Sequence, residues 1–135
     1  MRGTVVAASG VLIDSDVLIW FARGNARALA TLRSHADRYI SAVSYMEMAQ
    51  GCRNKAELKV LQKAFKSSAH DVLPITQGIS ELACTLVENY ALSHSVQVAD
   101  ALIAATAINH GLPLLTANFK HFSAIGGLEV VVFKP

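Results

Sequence analysis

The chain has 135 residues, of which 53% are hydrophobic and 16% charged, with a formal net charge of +2. This composition excludes an intrinsically disordered chain, which has few apolar residues and many charges. The longest apolar run, Val17–Ala22, is far shorter than the roughly 20 residues of a membrane span. The N-terminus is also a poor match to a signal peptide. We therefore predict one cytoplasmic domain with a large core and no membrane contact.

Hydrophobic periodicity and capping residues predict strands that alternate with helices. The predicted strands are Val11–Ile13, Arg38–Ser41, Val72–Ile75, Pro113–Thr116 and Leu128–Phe133. The predicted helices are Val17–Ala22, capped by Ser15 or Asp16; a segment from Asn25 to Arg33; Ser44 to Gly51; Asn54 to about Ser67; a long helix opened by Thr76; and Gln97–Asn109, stopped by Gly111. Pro74 indicates an edge strand. The alternation is typical of a three-layer α/β/α sandwich with a parallel sheet, here of four to five strands.

Asp14 and Asp16 interrupt the apolar stretch VLIDSDVLIW at the end of the first predicted strand. Ligands of open α/β sheets bind beyond the carboxyl ends of the strands. Two carboxylates at such an end could hold a hard cation through oxygen. An Asp at a helix start also caps the backbone and complements the helix dipole. A cap explains one Asp better than two, so both interpretations stay open.

Two further acidic residues lie in apolar surroundings. Ser44 and Glu47 fit a capping box, which by itself accounts for Glu47. Asp100 lies in QVADALIAATAIN, a predicted helix that is apolar on nearly all sides and therefore buried. A buried carboxylate has to be paired, protonated or bound to a metal. A first-turn Asp that complements the helix dipole is the structural alternative.

The segment TANFKHF follows the PLLT strand and carries Thr116, Asn118 and His121 at a second strand end. Polar groups at this position are candidates for a site. A lone histidine is more often a surface or hydrogen-bonded residue than a ligand.

Four lysines share one face of a predicted helix: Lys55, Lys59, Lys63 and Lys66. A solvated face is the favoured interpretation, and contact with an RNA backbone is the alternative.

The segments LIDSDVLIWFARG, SAVSYMEMAQG and ADALIAATAINHGLPLLTANFKHF together resemble the PIN-domain ribonucleases, specifically the VapC-type toxins. The resemblance runs from about Val11 to Phe133, and the order and spacing of the segments are more specific than any one of them. It implies a single PIN-like domain over residues 1–135, an α/β/α sandwich in which acidic residues converge at the carboxyl edge of a parallel sheet. It also implies binding of Mg²⁺ or Mn²⁺ and hydrolytic cleavage of RNA.

Carried over by motif, the resemblance implies that Asp14, Glu47 and Asp100 are the catalytic, metal-binding acids. Asp14 and Asp100 are expected to ligate the ion, and Glu47 to ligate it or to position the water. The family often has a fourth acid where this chain has His121, so one-metal and two-metal sites both stay open. The residues expected to support the acids are Ser15, Asp16, Thr116, Asn118 and His121.

The resemblance further implies a homodimer that is silenced by a small VapB-like antitoxin near the acidic pocket. One alternative is a catalytically impaired PIN-like module that binds RNA or a partner. Another is a haloacid-dehalogenase-type phosphatase, in which an Asp-x-Asp pair follows the first strand. The sequence has no clear downstream Asp pair of the kind that such a phosphatase would need. A receiver-like signalling module is a further alternative, and it would need an acceptor Asp after a middle strand.

Overall fold

A computed structural model describes residues 6–67 and 71–135. In this part of the chain the strands are β1 (Val11–Ile13), β2 (Arg38–Ser41), β3 (Asp71–Leu73), β4 (Leu114–Thr116) and β5 (Val130–Val132). The helices are α1 (Ser15–Ala22), α2 (Ala26–Arg33), α3 (Ala42–Gln50), α4 (Lys55–Ser67), α5 (Gln77–His94), α6 (Val98–His110) and α7 (Phe119–Phe122). Across the same residues, none of the helices has both the length and the apolar character of a membrane span.

The five strands form one parallel sheet in the order β3-β2-β1-β4-β5. The first strand in the chain is therefore the central one, between β2 and β4. Ile13 of β1 is in register with Leu115 of β4. Because both strands run in the same direction, the next residues, Asp14 and Thr116, meet at the carboxyl edge of the sheet.

Helices cover both faces of the sheet, which explains why β1 is buried along its whole length. Val11 and Ile13 belong to a core cluster that includes residues of α1 and α2. Leu12, whose side chain points to the opposite face, belongs to a second cluster built largely from α5 and α6. The predicted three-layer α/β/α sandwich and its parallel sheet are confirmed, with five strands.

Two predicted helix starts are wrong, and both corrections concern the candidate site. Asp14 accepts a hydrogen bond from Ser15 N (2.8 Å) and caps α1, so the cap is neither Ser15 nor Asp16. Ser41 accepts from Val43 N (3.1 Å) and caps α3. Ser44 therefore lies inside α3 and cannot form the predicted capping box. The carboxylate of Glu47 consequently has no capping role.

Other predicted boundaries hold or shift slightly. Asn25 caps α2 and Thr76 caps α5, as predicted. Gly111 ends α6 in the left-handed conformation (φ +66°) that favours glycine. The strand β3 begins one residue earlier than predicted and lies at the edge of the sheet, with Pro74 immediately after it. The short helix α7 was not predicted, because four residues carry no periodic signal.

Candidate active site

Asp14, Asp16 and Thr116 form a hydrogen-bonded group at the carboxyl edge of the sheet. The Thr116 hydroxyl donates to Asp14 Oδ2 at 2.8 Å and lies 3.3 Å from Asp16 Oδ2. The backbone N–H of Ala117 also donates to Asp16 Oδ2 (3.1 Å). Thr116 is completely buried, and Asp14 is 7% exposed. The end of β4 therefore fixes both carboxylates that follow β1.

The two carboxylates of this group are costly to ionise. Burial and the neighbouring charge of Asp16 raise the pKa of Asp14 to about 6, against the opposing hydrogen bonds from Thr116 and Ser15. Burial also raises the pKa of Asp16, which hydrogen bonds from Ala117 and Val17 oppose. Two negative charges held this close out of water repel each other. A cation between them would relieve the repulsion.

Asp100 joins the group from the first turn of α6. Its Oδ2 atom accepts a hydrogen bond from Gln97 N (3.3 Å) within a capping box. Asp100 is therefore a first-turn acid of α6, as its structural interpretation predicted. The same oxygen lies 3.4 Å from Nδ1 of His121. Asn118 Nδ2 lies 3.2 Å from that nitrogen. The negative charge of Asp100 also contributes to the raised pKa of Asp14. Asp100 thus caps α6 and also lies near His121 and Asp14.

Glu47 approaches Asp100 from α3. Burial raises its pKa, and the charge of Asp100 adds to the effect. It lies in a cleft of about 670 Å³ between α1, α3 and the start of α4. Arg23 and Arg53 line the same cleft. The Arg23 guanidinium lies 5.8 Å from the centre of the Trp20 ring. Arg53 pairs with Glu57 at 2.8 Å.

The structure brings Asp14, Asp16 and Asp100 together and places Glu47 close enough for the charge of Asp100 to raise its pKa. It also adds groups that the sequence did not reveal. Ser15 acts mainly through its backbone N–H, and the N–H of Ala117 was not predicted, because a backbone donor has no residue-type signal. Arg23 and Arg53 line the cleft, although neither was predicted to belong to the site. The four lysines of α4 are exposed and absent from the lining of this cleft, which α4 contributes to through Glu57 and Leu61.

The donor groups fit a divalent cation. Asp16 Oδ1 is buried and has no hydrogen-bond partner among the residues that the structure describes, which leaves one carboxylate oxygen available to bind an ion. Carboxylate oxygens are the ligands that Mg²⁺ and Mn²⁺ prefer. Within residues 6–67 and 71–135, no three His, Cys, Asp or Glu side chains are gathered tightly enough to form a preassembled metal site. The acids are therefore neighbours that an ion would have to draw together.

An apolar groove of about 210 Å³ adjoins the cleft that holds Glu47. It runs between α1, α3 and α4 and shares Ala22, Met48 and Leu61 with that cleft. The other lining residues are Leu18, Phe21, Val60, Ala64 and Phe65. Val60 is 69% exposed. The cleft that holds Glu47 therefore continues into an apolar surface.

Comparisons with known proteins agree with one another. The family model described as PIN domain matches residues 11–128. The chain is 33% identical over 130 residues to Ribonuclease VapC1 of Rickettsia felis, covering 90% of this chain and 95% of that protein. It is 37% identical over 116 residues to Ribonuclease VapC10 of Mycobacterium tuberculosis, covering 83% and 85%. A solved toxin-antitoxin complex from Klebsiella pneumoniae contains a chain that is 29% identical, with a TM-score of 0.75 and coverage of 90% and 96%.

Proposed function

Because this chain belongs to the PIN-domain family and, within it, to the VapC ribonucleases, we propose that it is a toxin that cleaves RNA phosphodiester bonds with a divalent cation and an activated water. The observation that carries the proposal is the Asp14–Thr116–Asp16 group with Asp100 beside it. This group gathers carboxylates in a buried place where their charge is costly. The family match leaves no reason to prefer a haloacid-dehalogenase-type phosphatase or a receiver module.

We assign the acids distinct roles. Asp14, Asp16 and Asp100 would hold Mg²⁺ or Mn²⁺, and Glu47 would hold the ion or orient the attacking water. When bound, such an ion lowers the pKa of a water and stabilises charge that develops on the phosphate. Asp16, which the sequence predicts to support the other acids, is assigned as a ligand because its Oδ1 atom has no partner in the described part of the chain.

The remaining polar residues act on the acids. Thr116 and the N–H groups of Ser15 and Ala117 hydrogen-bond to Asp14 and Asp16 and so fix the rotamers of these two carboxylates. Asn118 and His121 contact each other, and His121 faces Asp100. Fixed rotamers reduce the reorganisation that cleavage requires.

Purified protein on total RNA tests the proposal, with Mg²⁺, Mn²⁺ or EDTA in parallel. We expect cleavage with either ion, none with EDTA and none with Asp14→Asn. Asp71→Asn, which removes an exposed carboxylate from β3, is the matched control and should cleave normally. RNA that is bound but left intact by correctly folded protein would instead support a catalytically impaired binding module. Mapping the cleaved ends identifies the substrate.

We propose a VapB-like antitoxin as the protein partner. The similar chain from Klebsiella pneumoniae was solved in a toxin-antitoxin complex. The apolar groove between α1, α3 and α4 supports the proposal, because it exposes Val60 and continues into the cleft that holds Glu47. A segment bound there would cover the approach to Glu47.

Three further assignments belong to the same proposal. We propose that residues 1–135 form a single PIN-like domain, which the family match over residues 11–128 supports. We propose a homodimer, to which the exposed apolar side chain of Val98 on α6 would contribute. We propose that the protein acts in the cytoplasm, where its RNA substrates would be found. Light scattering on the purified chain measures the oligomeric state.

A further inference from the structure

His121 brings an imidazole nitrogen to a site whose other candidate ligands are carboxylates. Its Nδ1 atom lies 3.4 Å from Asp100 Oδ2. When protonated, the imidazole lowers the pKa of Asp16, so it lies near a second acid of the group. We propose that His121 binds the catalytic ion through Nδ1, beside carboxylate oxygens. This proposal rests on the proposed function.

The spacing of the two atoms suits a shared ion. Neighbouring ligands of an octahedral ion at roughly 2.1 Å lie about 3 Å apart. The 3.4 Å between Nδ1 and Asp100 Oδ2 is close to that separation. A small closure of α7 toward α6 would bring both atoms onto one ion. Such closure agrees with a group of acids that are adjacent but not preassembled.

The contact with Asn118 restrains the imidazole ring. Asn118 Nδ2 lies 3.2 Å from His121 Nδ1, and Asp100 Oδ2 lies 3.4 Å from the same nitrogen. The Nδ1 edge of the ring is therefore held toward the acids. In the neutral tautomer that is protonated on Nε2, Nδ1 carries a lone pair that would bind an ion.

A nitrogen ligand changes which ions the site prefers. Mg²⁺ favours oxygen ligands, whereas imidazole suits transition-metal ions. The site should therefore prefer Mn²⁺ to Mg²⁺ more strongly than an all-carboxylate site would. His121→Asp would replace the nitrogen with oxygen and should lower the ratio of Mn²⁺ to Mg²⁺ affinity.

Electron paramagnetic resonance of the tag-free protein with Mn²⁺ tests the proposal without measuring activity. Free Mn²⁺ is titrated to obtain affinity, Mg²⁺ competition gives the selectivity, and electron spin echo modulation detects ¹⁴N bound to the ion. We expect nitrogen modulation in the natural protein and its loss in His121→Asn and His121→Asp. His94→Asn, which changes an exposed histidine of α5, should retain it.

The outcomes separate this inference from the proposed function. Mn²⁺ binding without histidine nitrogen modulation, or with an unchanged selectivity in His121→Asp, would overturn the role of His121 and leave the ribonuclease proposal standing. Loss of Mn²⁺ binding in Asp14→Asn locates the ion at the acidic group. No Mn²⁺ binding by the natural protein would contradict both. Circular dichroism melts confirm that each variant is folded.

Discussion

The Thr116 hydroxyl lies 2.8 Å from Asp14 Oδ2 and joins residues that are 102 positions apart in the chain. The bond exists because β1 and β4 are parallel neighbours at the centre of the sheet, with Ile13 opposite Leu115. Strand order thus turns two separate sequence motifs into one group. Asp14 has two structural roles there: Oδ1 caps α1, and Oδ2 accepts from Thr116.

Thr116→Val should destabilise the protein by about 1–3 kcal/mol, because it leaves Asp14 Oδ2 buried without its hydroxyl partner. It should also slow RNA cleavage, because Asp14 loses a fixed rotamer. Urea denaturation and cleavage rates measure the two effects. Thr106→Val is the matched control: that hydroxyl is also buried, but it bonds only to the carbonyl of Leu102 in its own helix. Equal cleavage rates for the two variants would contradict a positioning role for Thr116.

Asp14→Asn should abolish cleavage and yet stabilise the metal-free protein at pH 7. The pKa of Asp14 is raised from 3.8 to about 6 in the folded state. A shift of this size corresponds to at most about 3 kcal/mol against the charged, folded form. Urea denaturation at pH 7 in EDTA measures the gain, with Asp71→Asn as control. A variant that is less stable than the natural protein would show that the charge of Asp14 is not the costly feature.

The metal-free protein should lose stability as pH rises from about 4 to about 6. A raised folded-state pKa means that the folded protein binds the proton more tightly than the unfolded chain does. The stabilisation from Asp14 is therefore complete below pH 4 and lost once pH passes 6. The raised pKa values of Asp16 and Glu47 act in the same direction. Denaturation in EDTA across this range should show a smaller decline for Asp14→Asn. Parallel profiles for the two proteins would contradict the assignment.

Val60→Asp should weaken silencing by the antitoxin while RNA cleavage by the free toxin continues. The substitution adds a charge to the apolar groove at a position that is already 69% exposed, so the fold should tolerate it. Calorimetric titration with the cognate antitoxin and a cleavage assay measure the two properties. Leu92→Asp is the matched control, because Leu92 is fully exposed on α5 and lies outside the groove. Unchanged antitoxin affinity in Val60→Asp would exclude the groove as its binding surface.

The sequence by itself determined the element types and the candidate acids. Short aliphatic strands and amphipathic or apolar helices have periodic patterns, so the positions of β1, β2 and β4 were predicted closely. Asp14 and Asp100 stood out because a charge in an apolar stretch needs a specific reason. The resemblance then added Glu47, for which local pattern alone favoured a capping box that the structure does not contain.

Only the tertiary structure decided which atoms meet. The cap of α1, the N–H of Ala117 at Asp16 and the contact between His121 and Asp100 each depend on where separate elements are placed. A local pattern records the preferences of neighbouring residues, whereas these contacts follow from the strand order and from helix packing. Composition gave a chain with few charges and a net +2. The fold concentrates several of those charges at one edge of the sheet, because parallel neighbouring strands end there together.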